Sequence, residues 1–183
     1  MKRVCVLLAE GFEEVEALTA VDLLRRAGVY VATVSITGAD TVSGSNGISV
    51  IADDVFEDFE FEKYDVLLLP GGGPGTENLR AHKGTRTQIL EFLNTNRLVA
   101  AICAAPTILG DMGLLKGKHA ICYPGLEPRL SGALVTVKDV VTDGQIITSR
   151  GIGTAIPFAL CLIEILVDSA KAQEIGKGVV YYR

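Results

Sequence analysis

The sequence predicts a doubly wound α/β domain, with helices packed on both faces of a parallel sheet. Short runs rich in Val, Ile and Leu alternate with helical patterns along the whole chain, and this alternation is typical of that fold class. Several of the runs are almost continuously apolar, as expected for strands covered on both faces. The 183 residues, 49% of them hydrophobic, suit a single domain spanning 1–183.

Strands are predicted wherever a short apolar run lies between turn residues. The predicted strands are 4–8, 30–36, 66–69, 98–102, 119–123 and 145–149. Residues 135–141 and 145–149 flank the sequence Thr-Asp-Gly at 142–144, which is a hairpin turn signal.

Helices are predicted at 13–27, 76–93, 104–112 and 154–167. The first has the clearest pattern, because Val15, Leu18, Val21 and Leu24 recur at three-residue spacing and predict one apolar stripe. Gly28 follows as its C-terminal stop.

Four loops are expected to meet at one edge of this sheet, because a doubly wound sheet gathers its functional loops at the carboxyl ends of its strands. They are residues 9–12, the glycine-rich segment 70–75, the turn at Cys103, and residues 150–153. A site is therefore expected at this edge.

Composition excludes several classes of function. A net charge of -5 on a mixed-sign sequence offers no basic stripe for nucleic acid. Apolar runs fall short of the roughly 20 residues that span a bilayer, and the first run is too short for an export signal, so we expect a cytoplasmic protein. The four cysteines form no CxxC pair and no metal-ligand spacing, so we expect free thiols and no bound metal.

The segment VAAICAAPTIL at 99–109 contains the first candidate catalytic residue. Cys103 lies where a buried strand gives way to a helix whose first turn accommodates Pro106. The helix end is expected to favour the thiolate and to lower the pKa of the thiol, as at the serine elbow of hydrolases. A packed structural cysteine explains the same local pattern.

A nucleophilic cysteine needs a proton partner. His82 lies in a polar segment and His119 opens a strand at the opposite end of the sheet, so a Cys-His protease is poorly supported. Glu13, Glu14 and Glu16 lie in the first turn of the first helix. We assign Glu13 and Glu14 to the helix dipole, whereas Glu16 could lean toward the sheet, keep its proton and share it with sulfur.

The glycine-rich loop at 70–75 lets backbone approach a substrate, and an amide there could face a developing oxyanion. The loop lacks the lysine and hydroxyl of a P-loop, so nucleotide binding is weakly supported. Arg150 could hold an anionic group at the rim, although a solvated surface arginine is the commoner outcome.

These segments together resemble the ThiJ/PfpI superfamily, and within it the branch of the Parkinson disease protein deglycase and its bacterial relatives. The resemblance rests on EEVE at 13–16 with Asp22 and RRAG at 25–28, LPGG at 69–72, AAICAAP at 100–106 and TSRG at 148–151. It covers essentially the whole chain in the same order.

The resemblance implies a flavodoxin-like fold, usually homodimeric, with no cofactor. It matches the family's reactive cysteine to Cys103, its protonated glutamate to Glu16, and its oxyanion amides to Gly72 and Ala104. It also implies a role in removing reactive dicarbonyls such as methylglyoxal, or the adducts they leave on proteins or nucleotides. The alternative function is redox sensing or chaperoning through oxidation of Cys103. A third hypothesis is that the protein is a structural interaction module.

Two departures from the family pattern restrict the mechanism. Ala104 follows Cys103 where protease-type members have histidine. Tyr123 stands where several close relatives place a histidine before the proline of the segment Cys-Tyr-Pro at 122–124. A phenol can hydrogen-bond but cannot replace imidazole as a base at neutral pH. Proton transfer is therefore expected to depend on Glu16.

Overall fold

The computed structural model describes residues 1–182, and its centre is a seven-stranded sheet. The strands, in chain order, are β1 (Arg3–Leu8), β2 (Tyr30–Ser35), β3 (Thr41–Ser43), β4 (Ser49–Ile51), β5 (Asp54–Val55), β6 (Val66–Leu69), β7 (Leu98–Ile102), β8 (His119–Ala120), β9 (Leu134–Val135), β10 (Val140–Asp143) and β11 (Ile146–Ser149). The helices are α1 (Glu14–Arg26), α2 (Gly73–Ala81), α3 (Lys83–Asn94), α4 (Pro106–Asp111), α5 (Ala155–Leu166) and α6 (Ser169–Gly178).

The order of strands in the main sheet is β10-β11-β7-β6-β1-β2-β5. All neighbouring strands are parallel except β10, which pairs antiparallel with β11 at one edge. The chain runs outward from β1 to β2, then returns to β6 on the other side of β1. This reversal of direction places a crevice beyond the carboxyl ends of β1, β6 and β7.

The core consists of two apolar layers, one on each face of the sheet. Alternate residues of β1 belong to different layers: Val4, Val6 and Leu8 pack with α1 and α5, whereas Cys5 and Leu7 pack on the opposite side with α2, α3 and α4. A strand that contributes to two layers must be apolar at every position, and this explains the unbroken apolar runs in the sequence.

The predicted doubly wound, mostly parallel α/β fold is confirmed, with differences at element boundaries. The helix predicted at 76–93 is two helices, because His82 adopts an extended backbone and its Nδ1 accepts a hydrogen bond from the Thr85 amide at 3.1 Å. The helix predicted at 104–112 begins only at Pro106. The strand predicted at 119–123 is reduced to its first two residues.

The buried face of α1 differs from the predicted apolar stripe. Val15 and Leu18 are exposed, whereas Ala17 and Ala20 are fully buried. α1 packs closely on α5, and small alanine side chains permit this approach.

The helix α6 was not predicted from the sequence. Predictions from apolar periodicity weigh large apolar residues more heavily than alanine, and α6 has few large apolar residues.

Candidate functional site

Cys103 occupies a strained turn directly after β7. Its φ is 65°, in the left-handed region that L-residues other than asparagine and aspartate seldom adopt. Two backbone hydrogen bonds hold the turn: the Cys103 amide donates to the Ser149 carbonyl at 3.1 Å, and the Tyr123 amide donates to the Cys103 carbonyl at 2.7 Å. Strain maintained by surrounding structure is a feature of functional sites.

Glu16 reaches this turn from α1 and is 1% exposed. Its Oε2 accepts a hydrogen bond from the Gly71 amide at 2.9 Å, and its carboxyl group also shares a hydrogen bond with the Cys103 side chain. The carboxylates of Glu13 and Glu14, three and two residues earlier, instead form hydrogen bonds with Ser45 and Asn46, although Glu13 also lines the cavity. The geometry therefore places the sequence-predicted acid beside the sequence-predicted sulfur.

Gly71 is a residue of the site that the sequence did not indicate. A Cβ atom at this position would lie 2.4 Å from Glu16 Oε2, 2.5 Å from Cys103 Cβ and 3.0 Å from Cys103 Sγ. The acid and the thiol can approach each other only because no side chain stands between them. A run of three glycines after a buried strand was the available signal, but it did not distinguish the roles of Gly71 and Gly72.

The backbone amides of Gly72 and Ala104 interact with the Cys103 sulfur and favour its thiolate form. Gly72 has a φ of 92°, and a Cβ there would lie 2.3 Å from the Gly11 carbonyl oxygen, so both conformation and space require glycine. Two backbone amides that converge beside a nucleophile are the kind of donors that an oxyanion hole requires.

Both ionisable groups of the pair are harder to ionise than usual. Burial raises the pKa of the Glu16 carboxyl from 4.5 to about 7, the hydrogen bonds from Cys103 and Gly71 oppose the rise, and the charge of Glu13 adds to it. Burial, the Glu16 charge and the hydrogen bond to Glu16 raise the pKa of the Cys103 thiol from 9.0 to about 12.

The expectation that the helix end lowers the pKa of the thiol is therefore wrong. α4 begins three residues beyond Cys103, and the amides of Gly72 and Ala104, which do favour the thiolate, are outweighed by burial and by the Glu16 charge. The pair loses its first proton near pH 7, and that step belongs to both groups because they share a hydrogen bond. The remaining proton lies on the sulfur, whose pKa is the higher of the two.

A cavity of about 850 Å³ opens above the pair. The residues predicted for the site from the sequence all line it: Glu16, Gly72, Cys103, Ala104, Tyr123 and Arg150. The volume lies within the range of small-molecule sites.

Two of these residues form the rim of the cavity. Tyr123 is half exposed, and its ring lies near Gly151, 3.5 Å from the position of a Cβ there. Arg150 Nη1 lies 3.8 Å from Asp139 Oδ1, so the cation already has an acidic neighbour.

The remaining histidines and cysteines lie away from this cavity. His82 caps α3 and packs edge-on against Phe56, and His119 is exposed and pairs with Asp143. Cys5 and Cys122 are buried in the core layer that contains α4. Within residues 1–182, no three His, Cys, Asp or Glu side chains come together as a metal site.

Glu14 has a structural role that the helix-dipole interpretation missed. Its buried carboxylate accepts hydrogen bonds from the Asn46 amide at 2.7 Å, from Asn46 Nδ2 at 2.9 Å and from the Ile48 amide at 3.3 Å. Burial alone would raise its pKa, but these bonds outweigh burial and lower the pKa to about 2. Glu14 therefore anchors the β3–β4 turn to the start of α1.

Comparison with known proteins agrees with the fold. Residues 2–165 match the DJ-1/PfpI family. Protein dj-1beta of Drosophila melanogaster is 38% identical over 185 aligned positions, which cover 98% of this chain and 97% of that protein. The Parkinson disease protein 7 homolog of Danio rerio is 35% identical over 183 positions, which cover 98% and 97%.

Among solved structures, the oxidized form of Toxoplasma gondii DJ-1 superposes with a TM-score of 0.96 at 35% identity, covering both chains completely. The chain belongs to the DJ-1/PfpI family, which confirms the resemblance inferred from its motifs. Among residues 1–182, every helix falls short of the length and hydropathy that a bilayer crossing requires.

Proposed function

We propose that this protein is a cofactor-independent cysteine enzyme that acts on reactive dicarbonyls, as a glyoxalase III or a protein or nucleotide deglycase. The observation that carries the proposal is the contact of a strained, cavity-facing thiol with a buried carboxyl group whose pKa is about 7. A carboxyl group that ionises near neutral pH can both accept and return a proton during one reaction cycle.

The first step is attack of Cys103 Sγ on the aldehyde carbon of methylglyoxal. The thiol proton passes to the Glu16 carboxylate as the carbon–sulfur bond forms. The aldehyde oxygen becomes an oxyanion, which the amides of Gly72 and Ala104 stabilise. Glu16 then returns the thiol proton to this oxygen, which gives a hemithioacetal and restores the carboxylate.

The second stage moves hydrogen between the two carbons of the substrate and requires no external oxidant. The Glu16 carboxylate removes the proton from the former aldehyde carbon and passes it to the ketone oxygen, which gives an enediol. The hydroxyl group on the former aldehyde carbon then gives its proton to Glu16, and Glu16 delivers a proton to the neighbouring carbon as the thioester carbonyl forms. The product is a lactoyl thioester of Cys103. Water hydrolyses this thioester, which releases lactate and restores the thiol.

Lactate formation from methylglyoxal tests the proposal. We expect turnover by the wild-type protein and its loss in both Cys103→Ser and Glu16→Gln. Cys161→Ser is the matched control, because Cys161 is a half-buried thiol outside the cavity, and it should retain activity. Unchanged turnover in either site variant would reject the assignment.

Redox sensing is the second candidate function, and it uses the same thiol. Cys103 is partly accessible, and a protonated Glu16 could donate a hydrogen bond to a sulfinate at that position. The relative from Toxoplasma gondii has been solved in an oxidized form.

Intact-mass analysis after mild peroxide, beside the lactate assay, separates the two functions. Addition of two oxygen atoms confined to Cys103, with negligible lactate formation, would favour the sensor. Rapid lactate formation with slow oxidation would favour the enzyme. If neither reaction occurs and Cys103 reacts with thiol probes no faster than a free thiol, the protein is a structural interaction module.

We further propose a homodimer in the cytoplasm that acts on small dicarbonyls or glycated proteins, with nucleic acid only as a repair substrate. Exposed apolar side chains on α1 and around the β3–β4 hairpin support the dimer, namely Val15, Leu18, Ile48 and Ile51. Sedimentation analysis should show a dimer that Leu18→Glu dissociates.

The free thiols at all four cysteines support the proposed cytoplasmic location, because they fit a reducing compartment.

A further inference from the structure

A chain of two hydrogen bonds connects Arg80, on α2, to Ala104, the residue that follows the nucleophile. Arg80 Nη2 donates to Thr107 Oγ1 at 2.7 Å, and Thr107 Oγ1 donates to the Ala104 carbonyl at 2.6 Å. The Thr107 amide donates to the same carbonyl at 3.0 Å. Because a hydroxyl group has one proton, acceptance from Arg80 directs the Thr107 proton toward Ala104.

The guanidinium group that starts this chain is held by several partners. The Arg80 side chain is only 15% exposed. It forms ion pairs with Glu77, one turn earlier on α2, and with Asp111, at the end of α4. Nη1 also approaches the Thr107 carbonyl at 3.5 Å. Arg129 contacts the same two carboxylates, Glu77 Oε1 at 3.3 Å and Asp111 Oδ2 at 2.8 Å, so two cations and two anions form one cluster.

Thr107 transmits this order to the site because it is 1% exposed and lies in the first turn of α4. Ala104 has its amide directed at the Cys103 sulfur and its carbonyl held by Thr107. Restraint of the carbonyl limits rotation of the whole residue, and therefore limits rotation of the amide. Ala104 and Ala105 lie in the turn before α4, and the Thr107 hydroxyl adds a second, shorter hydrogen bond to the one that the Thr107 amide makes with the Ala104 carbonyl.

We propose that Arg80 and Thr107 are positioning residues that hold the Ala104 amide in line with the Cys103 sulfur and with the oxyanion formed during attack. Neither residue lines the cavity, so both act through Ala104. This inference rests on the proposed role of Cys103 as a nucleophile, but it does not depend on the identity of the substrate.

Alkylation of Cys103 by iodoacetamide, followed against pH by mass spectrometry, tests the inference without requiring turnover. Thr107→Val keeps the shape of the side chain but removes the hydroxyl, and Arg80→Met keeps an apolar stem without donors. Each should slow alkylation at neutral pH by about three- to tenfold, the range expected for one hydrogen bond, and should shift the rate profile to higher pH.

Two matched variants separate positioning from general loosening of the fold. Thr107→Ser retains the hydroxyl group and should restore the wild-type profile. Arg129→Gln removes the other cation of the cluster, which does not contact Thr107, and should leave the profile unchanged. Wild-type profiles in both Thr107→Val and Arg80→Met would overturn the proposal. Slowing by Arg129→Gln equal to that by Arg80→Met would also overturn it, because the effect would then come from the cluster as a whole.

Discussion

Replacement of Glu16 by glutamine should change how the stability of the protein depends on pH. The substitution keeps the shape of the side chain and an oxygen that can accept the hydrogen bond from the Gly71 amide, but it removes the ionisable group. The folded-state pKa of Glu16 is about 7, against an ordinary value of 4.5. The folded protein therefore holds this proton over a pH range in which the unfolded chain releases it.

The sign and size of the effect follow from proton linkage. A group whose pKa is raised on folding contributes stability that is fully present below pH 4.5 and is lost as pH rises through about 7. The rise in pKa corresponds to about 3 kcal/mol of unfolding free energy. The difference in unfolding free energy between Glu16→Gln and wild type should therefore shift in favour of the variant by up to about 3 kcal/mol between pH 4.5 and pH 8.

Urea unfolding at a series of pH values from 4.5 to 8, followed by circular dichroism, measures this difference. Groups other than Glu16 titrate in both proteins, so their contributions largely cancel. The Cys103 thiol stays protonated in this range, because its pKa is about 12. A difference that remains constant across the range would refute the raised pKa of Glu16 and the proton-transfer role built on it.

Three further outcomes are expected. Glu14→Gln, on the same helix, should destabilise the protein by a constant amount between pH 6 and 8. The reason is that the pKa of Glu14 is lowered to about 2, so its stabilising contribution is lost only as pH falls from 4.5 toward 2. Urea unfolding measures this, and a stability equal to that of wild type would contradict the anchoring role. Gly71→Ala should abolish Cys103 alkylation at neutral pH because the added Cβ overlaps Glu16 and Cys103, whereas Gly178→Ala, with open space around it, should alkylate normally. The wild-type alkylation rate should rise through a step near pH 7 that is absent in Glu16→Gln; a step retained in the variant would assign it to another group.

Much of the candidate site could be predicted from the sequence because parallel strands end at one edge of the sheet. Cys103 and Arg150 follow strands that lie side by side, β7 and β11, so their convergence follows from the order of the strands. Glu16 could be proposed because it lies in the first turn of the helix after β1, at the same edge. The direction of its pKa shift also follows from the nature of the site, since a carboxyl group inside a protein favours its neutral form.

The pKa of the Cys103 thiol could not be predicted in the same way. The local pattern shows the helix that follows Cys103, and a helix end favours a thiolate. It does not show how deeply the turn is buried or that Glu16 approaches the sulfur. Both effects come from elements distant in sequence, and together they exceed the stabilisation by the Gly72 and Ala104 amides.

The alternation of strands and helices along the chain, the turn at Cys103 and the glycine-rich loop were determined by the sequence itself, because apolar periodicity and turn chemistry act over a few residues. Tertiary structure decided which of three neighbouring acids meets the sulfur. The Glu14 side chain extends toward the β3–β4 turn and the Glu16 side chain toward the sheet, because each carboxylate accepts hydrogen bonds from the amides nearest to it. Those amides belong to residues 46 and 71, and only the packing of α1 against the sheet brings them to the helix.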